Sequence, residues 1–285
     1  MRITAKELSF TYNKKSAFKA DALKGVTLDI PEGEFFGIIG HTGSGKSTFI
    51  QHLNALLTVQ SGTLTVGDID LSKGKKTDKK LLKVLRSKVG MVFQYPEYQL
   101  FAETVFEDVA FGYKNFNPQA DENLVKTAVY DALTRVGLDY SIAKKSPFEL
   151  SGGQKRRVAI AGVIVTSPEV LVLDEPVAGL DPIGKRELMR LLHELHSTTC
   201  KTVIIVSHDM DEVCENCTRV AVFSQGEVIA EGTPEEVFSQ GEKMRGLRLG
   251  VPLTEYLSER LAEKGVNLNC DLTENDFIRA VKELC

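Results

Sequence analysis

Long hydrophobic runs are absent from this chain. The longest, VAIAGVIV from Val158 and VIIV from Val203, fall far short of the roughly 20 apolar residues that a membrane helix requires. No segment is expected to span a bilayer, so any membrane association is expected to be peripheral. An excess of positive charge is also missing: the net charge is −4, which disfavours a nucleic-acid binder. The opening MRITAKELSF lacks the basic patch, apolar run and small-residue cleavage site of an export signal, and the expectation is a chain that stays in the cytosol. Cysteine is sparse. Five thiols, an odd number, fit reduced side chains better than a disulfide framework. Cys200, Cys270 and Cys285 stand alone; Cys214 and Cys217 lie inside DMDEVCENC, past a helix start and without a second ligand pair for a metal. Internal repeats and low-complexity tracts are lacking as well.

What is present is enough apolar material, 42% of 285 residues, to bury a substantial core. From Ile3 to Ile30 apolar and polar positions alternate in short runs, which predicts an antiparallel β section. EFFGIIG then runs into Gly40 and a helix-patterned stretch, Lys46 to Leu57, a strand, glycine turn and helix that open a parallel α/β core. The segment 81–94 reads as a short helix and a strand ending at Gln94, and Glu122 to Val136 has helical spacing. Alternation then resumes: helix from Gln154 to Thr166, strand from Val170 to Leu173, helix from Lys185 to Ser197, strand from Thr202 to Val206. A strand pair turns at Gln225 and Gly226, and Thr233 with Pro234 opens a capped helix. The expected architecture is therefore α/β. Residues 1–240 form the main domain, with a helical subdomain over about 95–165, and a linker leads into a small helical extension over 241–285. The extension either packs on the main domain or presents a partner surface.

GHTGSGKST, Gly40 to Thr48, matches the P-loop pattern. In average composition its four fixed positions recur by chance in roughly one chain in a hundred of this length. Gly40, Gly43 and Gly45 allow the backbone through His41, Thr42 and Ser44 to curl so that successive N–H groups face phosphate oxygens. Lys46 then bridges the β- and γ-phosphates of a bound nucleotide, and the Ser47 hydroxyl is offered to Mg²⁺. VLVLDEP, from Val170, is a buried strand delivering two carboxylates at its end. Successive side chains on an extended chain diverge, so Asp174 is assigned to the metal and Glu175 to the attacking water. The NKxD base-reading element of single-domain GTPases is missing after the P-loop.

LSGGQ, Leu150 to Gln154, stands before a strong helix with Ser151 as its N-cap and Gly152 and Gly153 leaving backbone N–H groups uncovered. One P-loop already serves one triphosphate, so a second phosphate-reading helix start makes sense if it serves another subunit's nucleotide. With this motif 16 positions before the second strand of the site, the sequence resembles the ATP-binding subunits of ABC transporters over residues 1 to about 240. The resemblance implies further roles. Tyr12 corresponds to the aromatic that stacks on adenine, and Gln94 to the glutamine that touches Mg²⁺ and the attacking water. Gly179, Leu180 and Asp181 correspond to a loop lying across the subunit interface, and His208 to the switch histidine that contacts the γ-phosphate. It also implies that Ser151, Gly152, Gly153, Gln154 and Asp181 act in trans on the partner's nucleotide.

FQYPEYQLFAETVFEDVAFG, from Phe93, and RRVAIAGV, from Arg156, are similar to the A-type ATPases of energy-coupling factor transporters, and YPEYQLFAET to their second type, itself similar to the cobalt-transporter ATPases. This implies a first-type A ATPase as heterodimer mate, a transmembrane T scaffold and substrate-binding S proteins. It also implies uptake of vitamins or of Co²⁺ and Ni²⁺, with the chain at the cytoplasmic face of a prokaryotic membrane. The ATPase of another ABC importer class, or a non-transport ABC ATPase, is the alternative. The latter would carry tandem cassettes or a long coiled coil, and neither is found. The basic run from Lys73 to Lys88, eight Lys or Arg against one Asp, either faces anionic headgroups or is solvated.

Overall fold

The computed structural model describes residues 1–239, 250–268 and 272–283. The alternating N-terminal segment forms β1 (Ile3–Tyr12) and β2 (Ala20–Ile30), paired antiparallel as expected. With β4 (Ser61–Val66) and β5 (Ile69–Asp70) they make a four-stranded sheet ordered β2-β1-β4-β5. A second sheet contains β3 (Phe35–Ile39), β6 (Val89–Val92), β7 (Val170–Asp174), β8 (Thr202–Ser207), β9 (Arg219–Ser224) and β10 (Glu227–Gly232). Its order is β10-β9-β3-β8-β7-β6, parallel except for the antiparallel edge β10.

The period of two in β3 explains the layering. Phe35 and Ile39 enter the core beneath the helices, while Phe36 and Ile38 enter a second core shared with the antiparallel sheet, and none is more than 1% exposed. A strand buried on both faces reads as a continuous apolar run, which is what FFGII is.

Helices α1 (Lys46–Leu53) and α2 (Lys79–Lys88) precede a helical group made by α3 (Val105–Phe116), α4 (Glu122–Arg135) and α5 (Gly152–Ile164). All three lie inside the stretch expected to be helical. Their apolar stripes, Val109, Val129 and Ile160 among them, join the core that holds Phe35. The returning alternation supplies α6 (Pro182–Thr198), α7 (Met210–Asn216) and α8 (Pro234–Phe238). Among the described residues no helix is long and apolar enough to cross a membrane.

Several boundaries differ from expectation. α1 stops at Leu53, short of Leu57, because Asn54 and Ala55 leave the helix: Ala55 takes φ +54° and Asn54 Oδ1 accepts the Leu56 N–H at 3.2 Å. β6 ends two residues before Gln94. α6 begins earlier than its apolar pattern shows, at Pro182, because Asp181 caps it; α5 begins ahead of Gln154, at Gly152, directly after the cap expected at Ser151.

The C-terminal helices α9 (Leu253–Ala262) and α10 (Glu274–Glu283) occupy the two amphipathic segments. The Leu253 N–H donates to Asp211 Oδ1 at 2.7 Å, which ties α9 to α7, and Thr254 Oγ1 donates to the Leu272 carbonyl at 2.7 Å. The expected boundary at 240, most of the linker after it, and Cys270 and Cys285 lie outside the described residues. Cys200, Cys214 and Cys217 are free and buried. Burial pushes the Cys200 thiol up to about 12 and raises Cys214 and Cys217 as well, which makes all three inert packing residues. In the basic run, Lys73, Lys76, Lys79, Lys80 and Lys83 are exposed. Lys88 pairs with Glu169 at 2.9 Å, and Arg86 donates to the Asn54 and Ala55 carbonyls.

Candidate functional site

The carboxyl ends of β3, β6, β7 and β8 point to one side of the parallel sheet, where α/β folds place their ligands. There an open cleft of about 810 Å³ is lined by Tyr12, residues 41–48, Gln94, Asp174, Glu175 and His208. The structure thus gathers from five separate stretches nearly every residue expected to serve a nucleotide within one chain. Gly40 directly follows β3 and opens the loop.

The loop between β3 and α1 takes its shape from two glycines that no other residue could replace. At Gly40, φ is +151° and an added Cβ would stand 2.3 Å from the Phe223 carbonyl; at Gly45, φ is +107° and it would stand 2.6 Å from the Ala22 carbonyl. The loop is pinned from outside as well, since the Gly226 N–H donates to the Ser44 carbonyl at 3.0 Å. Gly45 is the N-cap of α1 and supplies no side-chain cap, so the first N–H groups of that helix remain available to an anion. Lys46, 7% exposed, donates through Nζ to the Gly40 carbonyl at 2.6 Å and the His41 carbonyl at 3.0 Å. Burial lowers its pKa, against the pull of Glu175 and Asp174.

β7 is fully buried up to Leu173 and ends in the two carboxylates. They do diverge, but the pleat is not the whole reason. Glu175 adopts φ +48°, a left-handed conformation costly for a residue with a side chain. Its N–H donates to the Val206 carbonyl at 2.9 Å, which holds the turn. Asp174 consequently hydrogen-bonds Ser47 at the start of α1, while Glu175 Oε2 lies 3.0 Å from His208 Nδ1. Burial raises the Asp174 pKa, reinforced by the Glu175 charge, while Ser47 and Lys46 oppose the rise. Backbone strain at a strand end is a feature that active sites often carry.

Gln94 sits just beyond β6, and Tyr95 after it also takes a positive φ, +54°. A smaller pocket of about 310 Å³ adjoins the cleft and is walled by Gln94, Glu175, Gly179 and His208 among others. Tyr12 reaches the cleft rim with its ring edge-on to Phe10 and its hydroxyl 3.3 Å from Thr48 Oγ1. The oxygen-rich set of Ser47, Asp174 and Gln94 suits a hard divalent cation. Among the described residues no group of three or more His, Cys, Asp or Glu is placed to hold a metal ion.

Ser151, Gly152, Gly153, Gln154 and Asp181 do not line this cleft. Ser151 and Gln154 form a reciprocal cap, each side chain meeting the other's backbone N–H, at 3.3 and 3.1 Å. Gly152 and Gly153 are exposed, and a Cβ at either would meet nothing within 4 Å. The helix start is therefore open to an incoming group. Asp181 caps α6 through the Gly184 N–H at 2.7 Å.

The structure adds residues the sequence reading missed. Asp21 and Ala22 line the cleft from β2. Arg156, 6% exposed in its side chain, forks onto Glu97 at 2.8 and 3.0 Å and also donates to the Pro176 and Ala178 carbonyls. It binds the segment after Gln94 to the segment after Glu175. Burial would raise the Glu97 pKa, but the Arg156 hydrogen bonds, a backbone hydrogen bond and the Arg156 charge together outweigh it and hold the carboxyl below its ordinary range. Behind His208 lies the buried Glu212. Arg156 and Glu97 had no local signal, because they meet across 59 residues of sequence.

Glu212 carries a pH prediction. Burial drives its pKa from 4.5 up to about 7, with Asp209 adding to the rise and Ser207, Lys185 and His208 opposing it. The folded state therefore keeps a proton that the unfolded chain loses near pH 4.5. Stability from this group is present below that pH and is lost as pH rises toward 7. Glu212→Gln is expected to raise stability at pH 8 by on the order of 2–3 kcal/mol and to change it little at pH 4.5, measured by denaturant midpoints at both.

A glycine loop on a strand–helix junction, two divergent acids on a neighbouring strand and a separate serine-capped glycine helix start define an ATP-binding cassette. Residues 23–178 match the ABC transporter family model, and the chain belongs to that family. Within it the chain is 46% identical over 287 residues to the energy-coupling factor transporter ATP-binding protein EcfA2 of Clostridium tetani, covering 100% of this chain and 96% of that one. It is 49% identical to the protein of the same name from Symbiobacterium thermophilum, covering 99% and 96%. Among solved structures, cbiO1 of Clostridium perfringens, part of the ABC transporter complex cbiONQ, superposes with TM-score 0.74 at 40% identity, over 90% of this chain and 98% of that one. The dimeric cassette MJ0796 in a post-hydrolysis state, bound to ADP and Pi, superposes with TM-score 0.71 at 31% identity, over 81% and 98%. The chain is an ATP-binding ATPase of this family.

Proposed function

We propose that the chain hydrolyses ATP as one half of an ATPase pair that powers an energy-coupling factor importer. The observation that carries this reading is the open helix start at Ser151, which lies outside the cleft holding Lys46 and needs a nucleotide it cannot reach within its own chain. Ser151, Gly152, Gly153 and Gln154, with Asp181, would close over the phosphates gripped by the partner's P-loop. The dimeric state of the MJ0796 cassette supports this arrangement.

In the cleft, the N–H groups of residues 41–48 and Lys46 hold and neutralise the phosphates, and Tyr12 offers its ring to the adenine. Ser47 and Asp174, with Gln94 at the rim, would hold Mg²⁺, which would supply positive charge to offset that of the phosphates. Glu175 takes the proton of the attacking water. His208, on the carboxylate's other side at 3.0 Å, orients it and contacts the γ-phosphate, while Gln94, which lines the same cleft, steers the water.

The names of the relatives and the cbiONQ setting of the cbiO1 structure support membrane companions. We assign a first-type A ATPase, a transmembrane T scaffold and substrate-binding S proteins, with vitamins or transition-metal ions as cargo and the chain peripheral to the cytoplasmic face. Purification of the tagged chain from detergent-solubilised membranes is expected to recover an A1-like ATPase and a T-like membrane protein together. Recovery of a two-permease importer core instead would overturn the assignment.

A further inference from the structure

The loop that carries His208 is braced by a side-chain ring that the reaction as described does not use. Ser207, the last residue of β8 and 3% exposed, donates from Oγ to Glu212 Oε2 at 2.7 Å and accepts the Asp209 N–H at 3.1 Å. Asp209 Oδ1 accepts the Glu212 N–H at 3.2 Å, capping α7, and Asp209 Oδ2 accepts from Lys185 Nζ at 2.9 Å. Lys185 stands on the first turn of α6, with its own N–H donating to the Asp181 carbonyl at 2.9 Å. Side chains from β8, α7 and α6 thus hold the backbone on both sides of His208. The imidazole itself is 70% exposed and meets Glu175.

A cap alone does not call for this construction. Asp121 and Asp139 begin helical turns elsewhere in the chain with a single carboxylate, and Asp209 caps α7 in the same way. Glu212 is additional, is 8% exposed, and keeps Oε1 without a hydrogen-bond partner among the described residues. Burying a carboxylate on those terms is costly. Its directed bond goes to Ser207, whose carbonyl carbon begins the peptide link to His208. We propose that Glu212 is a positioning residue for ATP hydrolysis, fixing through Ser207 and Asp209 the backbone from which His208 reaches Glu175. The Lys185 link extends the same brace to the helix that follows Asp181. The proposal rests on the reading that His208 works in the ATP site.

The test uses the full chain in its assembled transporter, measuring ATP turnover and ATP affinity. Glu212→Leu keeps the side chain's bulk, removes the acceptor for Ser207, and is expected to lower turnover about tenfold at unchanged ATP affinity. Glu212→Gln restores an acceptor and is expected to return turnover to within about threefold of the parent protein. In a His208→Ala background, with residual turnover followed by radiolabelled ATP, Glu212→Leu is expected to have no further effect, because it acts through the missing ring. Effects that multiply in that background, or a Gln variant as impaired as Leu, would overturn the proposal. So would parental turnover in Glu212→Leu. If Leu is not accommodated at this buried position, Ser207→Ala, which removes the donor instead, is expected to give a smaller loss that is likewise silent without His208. Normal turnover in His208→Ala alone would remove the reading of the site itself, and the proposal with it.

Discussion

Glu175→Gln is expected to slow ATP turnover by roughly 10²- to 10⁴-fold, the usual worth of a positioned base, while ATP binding stays near the parental value. The substitution is close to isosteric, so the left-handed turn at φ +48° and the backbone bond to Val206 survive. The amide oxygen can still meet His208 across the 3.0 Å contact. What disappears is a site basic enough to take the proton of water. A loss in turnover without a loss in affinity is the signature of a group that acts in the transition state and contributes little to ground-state binding. Phosphate release and equilibrium binding of a fluorescent ATP analogue separate the two. Turnover at the parental rate would remove Glu175 from its role and leave the strain at this residue without a use.

Lys46→Ala is expected to act on both quantities. The ammonium is delivered to the floor of the cleft by the first residue of α1 and now satisfies two loop carbonyls, Gly40 and His41. In the bound protein it exchanges those for phosphate oxygens, and a charge-assisted hydrogen bond of this type is worth about 1.5–3 kcal/mol. ATP affinity is accordingly expected to fall roughly ten- to hundredfold. Turnover is expected to fall further, because charge on the transferring group must be held as it moves. Lys46→Arg should not rescue it: a planar fork does not fit where a single nitrogen reaches between two carbonyls 2.6 and 3.0 Å away. Calorimetric titration of ATP into both variants checks this, and parental affinity in either would contradict the assignment.

The parts of this site that were legible in the sequence are those whose chemistry is local. A phosphate cradle needs its glycines, lysine and hydroxyl within one turn of chain, so Gly40 to Thr48 reads directly. Asp174 and Glu175 read for the same reason, at the end of an unbroken apolar strand. Their separation was foreseen, but not its cause, since no pattern of apolar positions reveals that Glu175 leaves the strand with a positive φ. The parallel sheet and the β1–β2 pair followed from strand periodicity, but β4 and β5 did not; the start of α5 was legible through the cap at Ser151, whereas that of α6 depended on Asp181, a cap that carries no hydrophobic signal. Arg156 with Glu97, and Glu212 with Ser207, are joined only after the chain has folded. In sequence each looked like an ordinary polar position.

The shared nucleotide pocket is tested most directly by light scattering on the Glu175→Gln chain mixed with its companion ATPase, with and without Mg²⁺ and ATP. Separate chains without nucleotide and a stable pair with it are predicted, the pair being lost again when Ser151→Arg blocks the glycine helix start. If the chains stay apart at saturating ATP, or if Ser151→Arg leaves pairing and turnover intact, the lid does not come from the second subunit and the account fails.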